Sequence, residues 1–323
     1  MRSPDPIASR VAGLGHHRPS RVVTNDELTG LVDTTDEWIR TRTGIRERRL
    51  MTSDDTVVSM GTAAARMALT DAATAPQDVD LVILASMTNP ERSPSAAGQI
   101  AVALGMDGPA VLDVNTACSG FEYALAMADQ SIRFGSATTA LVIGSETMSP
   151  VLDWADRSTC VLFGDGAGAA VVTRAEDAGI GPVAWGSVPR LVGSVQLPPA
   201  PATFAQEGGA ILRWALTEAK EHALRAVELS GHDIDEIEVL AFHQANLRII
   251  DPLAAALGGE AKIVIRDLVT SGNTSAASIP LGLSRAWHAG ELPPGALALL
   301  FGFGGGFTYA GQVVRLPTHD PVG

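Results

Sequence analysis

Val111-Leu112-Asp113-Val114-Asn115-Thr116-Ala117-Cys118-Ser119-Gly120-Phe121-Glu122-Tyr123-Ala124-Leu125-Ala126-Met127-Ala128 carries three structural signals in sequence. The apolar run from Val111 to Val114 reads as a buried strand, small residues break it, and the periodic apolar positions from Phe121 onward read as a helix. Cys118 therefore falls at a strand-to-helix corner, close to the helix N-terminus. Free backbone N–H groups and the positive end of the helix dipole favour a thiolate at such a place. A thiolate is the nucleophile for acyl transfer, and the small neighbours leave room for a thioester. The competing reading is a small buried filler, the usual fate of a free cysteine.

The same strand–corner–helix–strand unit recurs. Ile263-Val264-Ile265 leads to Ser271-Gly272-Asn273-Thr274-Ser275-Ala276-Ala277-Ser278, then to a helix and the run Ala296-Leu297-Ala298-Leu299-Leu300-Phe301-Gly302. A second echo links Ala68-Leu69-Thr70-Asp71 and Asp78–Ile83 with Ala223-Leu224-Arg225-Ala226 and Glu236–Ala241. Repetition of this kind predicts an α/β fold of two βαβαβ-type halves, divided as 1–174 and 175–323. Ligands bind beyond the carboxyl ends of parallel strands, so Cys118 and Asn273, at equivalent corners, should converge.

Elsewhere, residues 1–8 read as a loose tail. Strands are expected at Val11–Gly15, Asp78–Ala85 and Ala140–Glu146, and helices over Thr56–Ala73 and Ser95–Leu104. Val161–Val172 is expected to be strand-like throughout. Its glycines have no helix opening after them and so do not form a dinucleotide fingerprint. Residues 185–208 read as an irregular loop and Ala210 to Ser230 as one helix.

Composition narrows the function classes. A formal net charge of −13 argues against nucleic acid as a partner. Two cysteines make no disulfide framework, Cys160 reading as structural, and they fit a reduced, cytoplasmic setting. No signal core opens the chain and no run reaches the ~20 apolar residues of a membrane span. His16, His17, His232 and His319 are expected in turns or tails, with no metal-binding spacing. Met127 and Met148 read as core. The segment Asp33–Arg49 places Trp38 among five arginines. A solvated face is one reading of it, and a phosphorylated, adenine-bearing ligand the other.

His243 ends the apolar run Val239–Phe242, in the half that also carries Asn273. A histidine after apolar residues is commonly a satisfied core residue. Here Cys, His and Asn at three strand ends suit thiol acyl transfer.

Six motifs in order, Asp33–Ile39, Thr116–Phe121, Phe163–Ala169, His243–Arg248, Gly272–Ser278 and Phe303–Thr308, resemble the β-ketoacyl-[acyl carrier protein] synthase III family from about residue 11 to 316. The resemblance implies a thiolase-like fold of two similar halves in five α-β-α-β-α layers. It also implies a homodimer and decarboxylative condensation of an acyl-CoA primer with malonyl-[acyl carrier protein]. No cofactor is implied beyond these substrates.

By the same resemblance, Cys118 holds the acyl primer, and His243 and Asn273 stabilise the enolate left by carbon dioxide. The backbone N–H groups of Cys118 and Gly305 form the oxyanion hole. Trp38 and Arg157 sandwich the adenine of CoA, Arg42 reaches its phosphates, and Gly208, Ala245 and Asn246 touch the pantetheine. Arg213 and Arg248 dock the acidic carrier protein.

The chain departs from the family by placing Ser93 where a bulky aromatic is common, Gly209 in place of an Asn, and a shorter 187–206 loop. These changes imply a primer larger than acetyl. Two further readings stand beside condensation: acyl transfer without carbon–carbon bond formation, and an inactive partner subunit.

Overall fold

Along the strand Leu81–Ala85, Val82 and Leu84 enter one buried cluster while Ile83 and Ala85 enter another. The strand Val239–Phe242 divides in the same way, Leu240 and Phe242 to one side and Val239 and Ala241 to the other. Successive strand side chains face opposite ways, so both faces of these strands are covered. That is why the runs read as continuously apolar. The computed structural model describes residues 7–200 and 203–322; residues 1–6 of the anticipated tail lie outside them, as do 201, 202 and 323.

The clusters stack as layers. Helices Val57–Asp71 and Ala96–Leu104 cover the outer face of the first sheet. Helices Gly120–Arg133 and Ser278–His288 fill the centre between the two sheets. Helices Ala219–Ser230 and Leu247–Ala256 cover the outer face of the second. The order is α-β-α-β-α.

Both sheets have five strands and one topology. The first runs Ala110–Val114, Leu81–Ala85, Thr139–Glu146, Gly166–Ala175, Ala8–His17 across its width. The second runs Ile263–Val264, Val239–Phe242, Leu297–Gly304, Thr308–Arg315, Ala184–Ser187. In each, the first three strands are parallel and the last two pair antiparallel.

The two corners are copies at the level of single residues. Ala117 and Ser275 both take a left-handed conformation, φ 47° and 50°. Each opens a one-turn 3-10 helix, Ala117–Ser119 and Ser275–Ala277. The Asn two residues earlier accepts that residue's N–H, Asn115 at 3.2 Å and Asn273 at 2.9 Å. The counterpart of Asn273 is therefore Asn115, and that of Cys118 is Ala276. Glycines let the halves interlock. A Cβ on Gly144 would lie 2.5 Å from the Ala276 carbonyl, and one on Gly302 would lie 3.3 Å from the Cys118 carbonyl.

Several local expectations are corrected. Val161–Phe163 is a turn and the strand starts at Gly166, because Asp156 accepts from Ser158 and Thr159 and winds the preceding backbone. The 185–208 stretch holds the edge strand Ala184–Ser187, a 3-10 turn Pro189–Ser194 and a two-residue hairpin pairing, pieces too short to show a period. Helix 210–230 is two helices, Gly208–Thr217 and Ala219–Ser230. They part at Glu218, whose φ/ψ is −120°/−29° and whose carboxylate is paired with Arg190. His16 and His17 belong to the first strand rather than a turn.

Candidate active site

Three turns meet where the parallel strands end. A Cβ on Gly304 would lie 2.5 Å from Cys118 Cβ and 2.8 Å from its Sγ, and one on Gly305 would lie 2.8 Å from Ala117 Cβ. Only glycine allows the Gly304-Gly305 backbone this close to the nucleophile's corner. The N–H groups of Gly305 and of Cys118 itself face the sulfur.

The thiol is not the resting thiolate that the helix terminus suggested. Burial, first, and the Glu146 carboxylate push it up to about 12, while the nearby Ser275 hydroxyl and the Gly305 and Cys118 N–H groups draw it down. A helix N-terminus contributes about 0.3–2 kcal/mol, too little to overcome that desolvation.

His243 follows the strand Val239–Phe242, and its N–H donates to the Phe301 carbonyl at 2.9 Å. Its ring stands edge-on to Phe303, centroids 5.9 Å apart. Nδ1 lies 2.8 Å from Ser278 Oγ, which also accepts the Gln244 N–H at 3.3 Å. With Ser278 Oγ accepting from Gln244, its hydroxyl proton is available to Nδ1, the arrangement that leaves Nε2–H as a donor. Burial alone lowers the histidine to about 3, so the ring is neutral at physiological pH.

Asn273 is tied to the turn that replaced the expected strand: its N–H donates to Leu162 O and its carbonyl accepts from Gly164 N–H. Its Oδ1 accepts from Ser275 N–H at 2.9 Å. The amide is thereby oriented with its NH2 free to donate. Two neutral donors of fixed orientation, held on separate turns of one half, suit an oxygen that gains negative charge.

The mouth is built from three helix starts and a loop. Arg42 and Arg157 both sit on the Trp38 ring, 4.5 Å and 4.7 Å from its centroid. Arg157 also donates to the Asp33 carbonyl at 2.7 Å. Arg157 thus lies directly on the Trp38 ring, without the gap that an adenine sandwiched between them would need. Gly208 starts the helix Gly208–Thr217 with open space around its Cα. Ala245 closes a tight turn on the His243 carbonyl, and Asn246 caps helix Leu247–Ala256 through Arg248 N–H at 2.8 Å. Arg213 and Arg248 are exposed on those two helices. Ser93 is exposed on the segment before helix Ala96–Leu104. Among the described residues, no cluster of three or more His, Cys, Asp or Glu could hold a metal, and no helix is long and apolar enough to cross a membrane.

Residues 112–189 match the family 3-oxoacyl-[acyl-carrier-protein] synthase III, and residues 227–316 match its C-terminal domain. A β-ketoacyl-[acyl-carrier-protein] synthase III of Streptomyces coelicolor is 52% identical over 312 residues, covering 96% of this chain and 99% of that protein. The chain belongs to the synthase III family.

Among solved structures, the priming β-ketosynthase of a polyketide biosynthetic pathway superposes with TM-score 0.95 at 41% identity, covering 100% of this chain and 99% of that one. The Aquifex aeolicus 3-oxoacyl-[acyl-carrier-protein] synthase III gives 0.90 at 40% identity, covering 95% and 100%. The fold is accordingly the thiolase fold of synthase III enzymes.

Sequence reasoning did not single out several residues that shape this synthase III site. Ser278 orients His243, and its signal lay in the corner repeat, where Gly120 opens the matching helix. A small apolar cluster of Met148, Leu152, Phe163, Val195 and Phe204, with Met87 against it, lies between the turns. Phe163 bridges to Asn273, and Val195 reaches the position a Gly305 Cβ would occupy at 3.4 Å. No periodicity marks it, because its members come from separate short pieces: the turn flanked by Met148 and Leu152, the turn at Phe163, and the hairpin arms at Val195 and Phe204. Met148 does belong to it and is fully buried, whereas Met127 is only partly so.

Proposed function

We propose that this synthase III transfers an acyl group from CoA to Cys118 and condenses it with malonyl-[acyl carrier protein], initiating a fatty-acid or polyketide chain. The observation that carries the proposal is the Gly304-Gly305 backbone packed on the Cys118 corner, with two neutral, pre-oriented donors, His243 and Asn273, on the turns that follow neighbouring strands. Cys118 Sγ attacks the primer thioester, and the oxyanion rests on the N–H groups of Cys118 and Gly305. CoA leaves. The malonyl thioester oxygen then accepts from His243 Nε2–H and Asn273 Nδ2. Carbon dioxide departs, and the enolate attacks the acyl-Cys118 carbonyl. The free Asn273 NH2 favours this reading over plain acyl transfer, which forms no enolate.

Trp38, Arg42 and Arg157 take the nucleotide end of CoA, with Gly208, Ala245 and Asn246 along the pantetheine arm. Arg213 and Arg248 give an acidic carrier protein a basic landing in a protein whose formal charge is −13. The halves divide near 174/175: the last strand of the first sheet runs one residue past that point, to Ala175, and the first strand of the second begins at Ala184. The working form is a homodimer.

The primer is larger than acetyl. Its tail lies in the apolar cluster beside Cys118, where Met87 and Met148 adapt to its shape. Ser93, where a bulky aromatic is common, is read as leaving room for that tail.

Intact-protein mass measurement after incubation with a panel of acyl-CoA esters tests the reading. One acyl adduct, lost in Cys118→Ala, and carbon dioxide release from malonyl thioester are the expected results. Acetyl-CoA turnover equal to that of C4–C8 and branched esters would refute the primer assignment.

A further inference from the structure

Arg48 lies on the short strand Glu47–Leu50 and is fully buried. A guanidinium out of water is costly unless it is paired and hydrogen-bonded. No carboxylate pairs with this one among the described residues. Its hydrogen bonds go to uncharged oxygens. Nη1 donates to the Val23 carbonyl at 3.3 Å and to Asn25 Oδ1 at 2.8 Å, and Nη2 to the Val161 carbonyl at 2.8 Å. Burial lowers the group to about 10, so it is still a cation at neutral pH. The strand pair that carries it, Arg21–Thr24 with Glu47–Leu50, needs no buried charge to form, and the charge calls for another use.

What it holds supplies one. The Val161 carbonyl belongs to the turn from which Asn273 hangs. One residue on, Leu162 O accepts the Asn273 N–H at 2.9 Å, and Gly164 N–H donates to the Asn273 carbonyl at 3.0 Å. The arginine's stem reaches the same place from the strand side. A Cβ on Gly272, the residue before Asn273, would lie 3.0 Å from Arg48 Cβ, and one on Gly164 would lie 3.3 Å from it. Among the described residues the Asn273 side chain itself is bonded only locally, Oδ1 accepting from Ser275 N–H at 2.9 Å. Where its NH2 points therefore depends on where its main chain is held. The far end of the guanidinium is anchored. Asn25 donates through Nδ2 to the Ile45 carbonyl and to Asp36 Oδ1, both at 2.8 Å, and Asp36 opens the helix that carries Trp38.

Resting on the reading that Asn273 stabilises the enolate, we propose that Arg48 is a positioning residue for the condensation half-reaction, its buried guanidinium clamping the Val161–Gly164 turn so that Asn273 presents its NH2 to the malonyl thioester oxygen. It touches neither substrate nor Cys118. Its planar fork reaches Asn25 and Val161 from two separate nitrogens at once, which sets the distance between a fixed anchor and a turn that no sheet holds. An apolar side chain of the same length would fill the space and leave both oxygens without that donor.

The test separates the half-reactions. Arg48→Met keeps most of the stem and removes the head. Carbon dioxide release from malonyl thioester on pre-acylated enzyme should slow about 10²-fold, the effect of misplacing a reacting group by about 1 Å. Acyl-adduct formation at saturating acyl-CoA should change little. In an Asn273→Ala background the same substitution should add no more than about twofold, because residues that act as one unit are not additive. Arg48→Lys keeps the charge but cannot reach both oxygens from separate nitrogens. It too should slow carbon dioxide release while acylation stays normal, and it carries the test if the methionine variant does not fold. Equal slowing of both half-reactions overturns the assignment, since general loosening would do that. A full additional loss in Asn273→Ala overturns it, as does unimpaired carbon dioxide release in the Arg48 variants. Normal carbon dioxide release in Asn273→Ala alone would instead bring down the enolate reading itself.

Discussion

Cys118 and His243 are both held in their neutral forms by burial, and each leaves a distinct mark on pH dependence. With the thiol near 12, iodoacetamide alkylation of the free enzyme should keep rising above pH 9, with no plateau at neutral pH. A plateau near pH 7 would mean that the resting nucleophile is a thiolate after all. For His243 the folded pKa lies near 3 against 6.5 unfolded. Below pH 6.5 the unfolded chain binds a proton that the folded one refuses. Stability is therefore full above 6.5 and declines toward pH 3, by at most ~1.4 kcal/mol per pH unit for this group. His16, lowered to about 4 chiefly by burial, acts in the same direction over the upper part of that window. Urea midpoints measured from pH 7 to 4.5 should flatten measurably in His243→Asn. An unchanged slope would mean that His243 is not held neutral by burial.

At the scale of elements, the Gly304-Gly305 turn is the most exacting part of the site. A methyl at Gly304 would lie 2.5 Å from Cys118 Cβ and 2.8 Å from its Sγ. Gly304→Ala should cost ~1–3 kcal/mol by overpacking and cut acyl-adduct formation at least 100-fold. Urea denaturation and intact-protein mass would read the two effects separately. Normal adduct formation in that variant would mean the turn is not part of the oxyanion site. The repeat made the two corners legible from sequence, since Asn-Thr followed by small residues occurs in both. It also placed His243 at a strand end. The register of the corners was not legible, because it depends on which residue takes φ near +50°, and alanine and serine give no warning of that. The turn at Val161–Phe163 was misread for a related reason. Phe163 is called for by the cluster beside Asn273 and Val161 by the outer core of the second half, not by a sheet, and apolar runs look alike in either setting.

For the whole molecule, the two sheets share one topology but not one edge. In the second sheet the outer parallel strand is reduced to Ile263–Val264. Its counterpart Ala110–Val114 is five residues long, pairs on one side only, and exposes Val111 at 41% and Leu112 at 37%. A long apolar edge with unpaired backbone groups is a template for another strand, and two such edges related by a twofold axis satisfy each other. Asp113 does not share in this, because its carboxylate already accepts the Ala96 and Ala97 N–H groups at 2.8 Å. The segment carrying Ser93 is thereby fixed beside the same edge. Dimerisation through this strand is the prediction, and the charged pair Val111→Lys with Leu112→Glu should prevent it. Sedimentation velocity at micromolar concentration should find wild type as a dimer and the double variant as a monomer with a near-native circular dichroism spectrum. Condensation activity should fall at least tenfold in the monomer, since Ala110–Val114 leads directly into the Cys118 corner and loses its outer support. A wild-type monomer, or a double variant that still sediments as a dimer, would remove this edge from the interface.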